Sequence, residues 1–259
     1  MVRPKTYENV QFSDGFQEVE LSSWKYFNDY IRKEMLEHNH YFWRGQRDSS
    51  WGLETTIDRL ISRKSVSEQS KLIKKHLECF QMSSRGRRGQ NPPRDMSENE
   101  WWALGQHHSL ATPLLDWTTA PFVALYFAFE KELAPKSGKR VIWSLYPNPV
   151  NTKIKKANPS EKSPPILDVI KPHQDENARL VSQSGLFTRA PAGETVVSWV
   201  KKNCVDEEHI VLMKISIPDK DRENCLKALN RMNINHLTLF PDLYGAGQYS
   251  NKVLAINKY

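Results

Sequence analysis

The chain has 259 residues with 37 Lys and Arg against 30 Asp and Glu, a net charge of +7, and a mean hydropathy of −0.65. Eight Trp, nine Tyr and ten Phe supply enough large apolar area for a folded core, which excludes general disorder. The longest apolar run, Ala120 to Phe129, is too short to cross a bilayer, the first twelve residues have no apolar h-region, and Cys79, Cys204 and Cys225 make neither a disulfide framework nor a zinc pattern. A cytoplasmic protein with no membrane association is expected.

In chain order, Ser22-Ser23 followed by Trp24, Phe27, Ile31 and Met35 predicts a capped amphipathic helix, because its apolar residues recur at spacings of three and four. His40 to Gly45 is aromatic and short and predicts a strand ending at the glycine. Leu72, Ile73, Leu77 and Phe80 predict a basic helix with Lys71, Lys74 and Lys75 on its wet side. Arg85 to Pro93, which includes Arg85, Arg87 and Arg88, is a loop by composition. From Arg59 to Arg94 there are ten basic and two acidic residues, a net of 10 − 2 = +8. That density points either to contact with a polyanion such as nucleic acid or to a solvated face.

Ser97 with Glu100 three residues later is a capping box opening a helix through Trp101, Trp102 and Leu104. The two Trp residues read as core, with base stacking as the alternative. Thr119 and Pro121 start a helix through Phe129 that is apolar on nearly every side and therefore buried all round. Val141 to Tyr146 predicts a strand, and Asn148 to Pro165 a long loop or mobile insert. Lys136 to Lys162, with seven basic residues and one acidic, reads as solvated surface. Ile210 to Ile217 predicts a strand, Pro218-Asp219 leads into a helix holding Leu226 and Leu229, and a final helix begins near Asp242. Strands and helices interleave without a regular period, so the fold class is α+β in a single mixed domain.

Four clusters carry polar chemistry. In Phe42-Trp43-Arg44-Gly45-Gln46, an Arg at a strand end can aim a guanidinium at a phosphate, or pair with a buried carboxylate such as Asp116 and join two motifs. Gln106-His107-His108 is followed by Thr112-Pro113-Leu114-Leu115-Asp116-Trp117-Thr118. Adjacent histidines point to different sides and no acidic residue completes a ligand spacing, so no metal is expected. A histidine here can instead bind phosphate or move a proton. Asp116-Trp117-Thr118 reads as a cap arrangement before the apolar helix, or as an anion site at its free amides. Arg179, Gln183, Gly185 and Phe187 alternate as along a strand face, and Phe240 to Gly245 reads as a helix start.

Taken together, Phe42-Trp43-Arg44-Gly45, Gln106-His107-His108 with Thr112 to Thr118, Pro121 to Ala128, Gln183-Ser184-Gly185-Leu186-Phe187 and Leu239 to Leu243 resemble the FRG domain family, over roughly residues 24–253. One departure is Leu114, where that family commonly has Arg. The resemblance implies one FRG-type domain over 1–259, with a basic helix and loop insert at about 59–95 and a second loop insert at about 147–165.

The aromatic-Arg-Gly strand and the segment ending in Tyr126-Phe127-Ala128 are also similar to the layout of ADP-ribosyltransferases. That similarity implies a central, largely antiparallel sheet flanked by helices, NAD as substrate, and a toxin that modifies RNA or DNA in a bacterial toxin–antitoxin or phage-defence system. It implies Arg44, Tyr126 and Gln183 as catalytic residues, with Tyr126 stacking on nicotinamide. Arg44, Gly45, Gln46, His107, His108, Asp116 and Thr118 would bind NAD. Nucleic acid would lie along Lys71, Lys74, Lys75, Arg85, Arg87 and Arg88, and an antitoxin protein is a further partner. The alternatives are a non-catalytic nucleic-acid-binding or interaction module, or a nuclease.

Overall fold

Strand β1 (Tyr7–Ser13) reverses through Asp14 and Gly15, at φ of 52° and 68°, into β2 (Phe16–Leu21). A two-residue hairpin turn with both central residues at positive φ matches the twist of its strands, and Asp-Gly tolerates it. The computed structural model describes residues 6–88, 95–148, 150, 167–171, 178–205, 207 and 209–259. Most of the insert expected at 147–165, and residues 89–94 of the basic loop, lie outside them.

The remaining strands are β3 (Phe42–Gln46), β4 (Leu115–Thr118), β5 (Lys139–Leu145), β6 (Asp168–Ile170), β7 (Gly185–Arg189) and β8 (Leu212–Pro218). They form one open mixed sheet in the order β1-β2-β8-β5-β3-β4-β7-β6. Every neighbouring pair is antiparallel except β2 with β8. The helices are α1 (Phe27–Tyr30), α2 (Thr56–Ile61), α3 (Val66–Ser83), α4 (Glu98–His107), α5 (Pro121–Phe129), α6 (Ala178–Ser182), α7 (Val196–Asn203), α8 (Arg222–Arg231), α9 (His236–Leu239) and α10 (Leu243–Ala255). No helix of the described residues is long and apolar enough to cross a membrane.

Both faces of the sheet are covered. Ile142, Ile215 and Trp43 pack with α5, α8 and Leu239, while Val141, Trp143 and Leu212 pack with Trp199 and Val200 of α7 on the other side. A third core joins Ile73 and Leu77 of α3 to Trp102 of α4 and to Leu114 and Phe187. Capping boxes at Ser65/Glu68 and Ser97/Glu100 start α3 and α4, each satisfying two orphan amide groups reciprocally. Arg140 is fully buried on β5, where it donates to Asp219 at 2.6 Å and to the Ala128 carbonyl at 2.7 Å. It thereby ties the end of α5 to the sheet.

Two local expectations are corrected. Asp116-Trp117-Thr118 belongs to strand β4, because Leu115 and Trp117 alternate into the core under the sheet. The cap of α5 is Ala120, whose amide donates to the Thr118 hydroxyl. Arg179 to Phe187 is not one strand face. Its first half is α6, a turn follows at Ser184 with φ 48°, and only Gly185 onward is extended. The buried helix expected at 121–129 is α5, with none of its residues exposed.

Candidate functional site

Strand β3 pairs with β5 along all five of its residues but with β4 only at Trp43 and Thr118. Where that ladder stops, the Arg44 Nη1 donates to the backbone carbonyl of Asp116 at 2.7 Å and stands 3.6 Å from its Oδ2. Gly45 lets β3 press against α5, since a Cβ there would overlap the Ala124 carbonyl. The parted strands, α4, α5 and α6 enclose a cleft of about 400 Å³, within the size range of small-molecule sites.

The cleft gathers residues from distant parts of the chain. Arg44, Gly45, His107, Asp116, Thr118 and Gln183, all expected from sequence, line it together. The Arg44 side chain is one-fifth exposed, and its Nε is buried without a hydrogen-bond partner among the described residues. Burial pulls the guanidinium below its ordinary value, and Asp116 opposes that shift. Thr118 donates to the Gln183 carbonyl at 2.6 Å, holding the end of β4 to the α6–β7 turn. Gln183 spends its Nε2 on the Leu239 carbonyl at 3.0 Å, which leaves Oε1 as the group it can offer a ligand. His107 is lowered from the usual histidine value by burial and by the nearby His108 and Arg179, so its ring is neutral at pH 7.

Arg179, Phe127 and Phe240 also line the cleft, with no role assigned from sequence. Arg179 donates its Nε to Asp242 at 2.6 Å and lies 5.4 Å from the ring centres of Phe240 and Tyr244. Hydrogen bonding from the Gly245 amide and the contact with Arg179 hold the Asp242 carboxyl below its usual range. Phe127 and Phe240 meet edge to face at 6.2 Å on one wall of the cleft. Phe127 sits beside Tyr126 in a helix apolar on every side, so periodicity does not mark which of the two rings reaches the cleft.

Several expected site residues stand elsewhere. Tyr126 is fully buried and its hydroxyl pairs with His236 Nδ1, so it cannot stack on a ligand in the cleft. Gln46 is buried, accepting from Trp143 Nε1 at 2.8 Å and donating to the Gly52 carbonyl at 3.2 Å. It braces β3 and β5 away from the cleft. His108 is exposed just past α4 and touches His107 edge on, but does not line the cleft. The Asp116 side chain is 64% exposed, so it is not the buried partner of Arg44 that the sequence offered as one reading. Leu114 is buried in the α3–α4 core, so the position where the FRG family commonly carries Arg faces away from the cleft in this chain.

Lys71, Lys74 and Lys75 are exposed on α3, and Arg85 and Arg87 follow its C-terminus. Among the described residues none of these five forms an ion pair with a carboxylate. The Arg88 guanidinium lies 4.8 Å from the Trp101 ring centre, and Trp102 is fully buried. Helix α4 therefore separates the basic helix from the cleft, facing one with Trp101 and the other with His107.

Residues 39–137 match the family model described as the FRG domain. Over that stretch the chain is similar to the FRG domain. No curated protein and no solved structure matches the chain. The FRG segment supplies β3, α4, β4 and α5, hence Arg44, His107, Asp116, Thr118 and Phe127. Arg179, Gln183 and Phe240 lie beyond residue 137 and close the cleft over that FRG framework.

Chemically, the site combines two guanidinium groups, a neutral imidazole and an exposed carboxylate with an aromatic wall. Such a cleft suits a ligand that bears both phosphate and a flat ring, because Arg binds phosphate oxygens in a fixed fork and aromatic faces accept stacked rings.

Proposed function

We propose that the cleft binds NAD and that the protein is an ADP-ribosyltransferase toxin that transfers ADP-ribose to nucleic acid, within a toxin–antitoxin or phage-defence system. The observation that carries this reading is the convergence of Arg44 and Gln183 on one aromatic-walled cleft at the gap between β3 and β4. The largely antiparallel sheet with helices on both faces supports an architecture of the ADP-ribosyltransferase type. Arg44, with its unpartnered buried Nε, takes the pyrophosphate or ribose, and Arg179 supplies a second cation. Phe127 takes the stacking role first given to Tyr126.

The reaction separates nicotinamide from ribose through an oxocarbenium-like state, which requires an oriented sugar and nearby negative charge more than a strong base. The exposed lysines of α3 hold the phosphate backbone of the acceptor. Incubating the protein with NAD labelled in its adenylate portion and with RNA, DNA or protein tests the reading. Label passes to nucleic acid and nicotinamide is released, and Arg44→Lys abolishes both. An absence of label transfer to any acceptor, together with salt-sensitive nucleic-acid binding, would instead leave a binding module.

A further inference from the structure

The cleft contains a single carboxylate among the described residues that line it, and its surroundings hold it in one orientation. Thr112 is 2% exposed, and its hydroxyl accepts from the Leu114 amide at 3.4 Å and donates to Gln106 Oε1. An ionised carboxylate only accepts, so the Gln106 end that meets Asp116 is the amide nitrogen, and Oε1 is left to accept from Thr112. The donor end then faces Asp116, where Gln106 Nε2 donates to Oδ1 at 2.5 Å. On the other side, Arg44 Nη1 stands 3.6 Å from Oδ2, close enough for charge attraction and too far for a hydrogen bond. Asp116 is thus fixed at one oxygen while its second keeps its lone pairs, on a side chain 64% exposed at the cleft. An ionised carboxylate offers about four acceptor sites, so capacity remains for a reacting group.

We propose that Asp116 is the catalytic carboxylate of the cleft, with Gln106 and Thr112 as its positioning residues. The inference rests on the NAD reading above. The bond between ribose C1′ and the nicotinamide nitrogen breaks with both electrons going to nicotinamide, which leaves as a neutral molecule. The negative charge of Asp116 stabilises the cationic sugar. An acceptor hydroxyl or amine then bonds to C1′, and its proton passes to the Asp116 carboxylate. No oxidant or reductant takes part. The Gln183 amide has no proton-accepting group of this kind, and His107 complements Asp116 as a neutral donor or acceptor.

The test measures nicotinamide release and NAD affinity for the wild type, Asp116→Asn, Asp116→Ala and Gln106→Leu, with melting curves to confirm folding. Asp116→Asn keeps NAD affinity and lowers kcat by about 100-fold or more, the range for loss of a positioned acid–base group. Added formate restores part of the rate of Asp116→Ala, because a free carboxylate occupies the vacated space. Gln106→Leu lowers kcat while KM stays near the wild-type value. Asp116→Asn turning over at the wild-type rate overturns the assignment and leaves the NAD reading intact. Activity lost in Asp116→Ala that formate does not repair assigns Asp116 a binding or structural role and likewise overturns it. A wild type that neither binds NAD nor releases nicotinamide overturns both.

Discussion

Gly45 lies so close under helix α5 that a Cβ there would stand 1.9 Å from the Ala124 carbonyl oxygen and 2.5 Å from the Ala128 amide nitrogen. Both neighbours are backbone, which no rotamer change can move aside. The glycine next to Arg44 therefore sets how near the strand and the helix approach, and through that the position of the guanidinium. Gly45→Ala is expected to lower stability by about 3 kcal/mol or more, at the upper end for overpacked cores. Urea unfolding measures it, and a midpoint equal to that of the wild type would show that the two elements separate freely.

The buried His236 gives stability a pH dependence. It is 3% exposed, pairs through Nδ1 with the Tyr126 hydroxyl, and stacks on Phe240 at the edge of the cleft. Burial, reinforced by Lys252 and Lys131, pushes its pKa down to about 4. The ring is neutral at pH 7, so its 3.4 Å approach to Glu130 is not then an ion pair. Between about pH 6.5 and 4 the unfolded chain holds a proton that the folded chain does not. Stability from this group is complete above pH 6.5 and falls as pH drops toward 4, by an amount on the order of 3 kcal/mol. His236→Gln flattens that limb of the pH–stability curve. Parallel curves for variant and wild type between pH 4 and 7 would refute the assignment.

Arg140 and Asp219 form a buried ion pair at 2.6 Å, with Arg140 fully covered and the Asp219 side chain 19% exposed. Removing one partner strands the other charge where water cannot reach it. Asp219→Asn is expected to cost about 3 kcal/mol, and Arg140→Met combined with Asp219→Asn less than Asp219→Asn alone. Chemical denaturation of the three proteins gives the comparison. A double variant that loses as much stability as Asp219→Asn, or more, would contradict it.

The basic helix is tested by salt. Each phosphate contact adds about 0.7–0.9 to the slope of log affinity against log salt concentration. Replacing Lys71, Lys74 and Lys75 together by Ala should reduce that slope for RNA or DNA by about 2 and leave the cleft unaltered. Equal slopes before and after would move the nucleic-acid surface elsewhere.

Much of the local structure was legible because it depends on near neighbours in the chain. The box Ser97/Glu100 closes within four residues, and α3 shows its wet and dry sides through apolar spacing. The β1–β2 hairpin rests on an equally local signal, Asp14-Gly15. The α6–β7 turn is not legible in the pattern, because Arg179, Gln183, Gly185 and Phe187 fit alternation by chance, while Ser184 adopts a positive φ that composition does not announce.

By itself, the sequence determined a mixed fold with a buried α5, a strand bearing Arg44, and an FRG motif set, since capping, patterning and motif spacing are properties of short segments. Only the tertiary structure decided that Arg44, Asp116, Arg179 and Gln183 share one cleft while Tyr126 turns away from it. The physical reason lies in the sheet and in α5. The pairing of β3 with β4 ends after one residue pair, a long-range outcome of packing, and a helix apolar on every side has no period to say which ring meets the core and which meets a ligand.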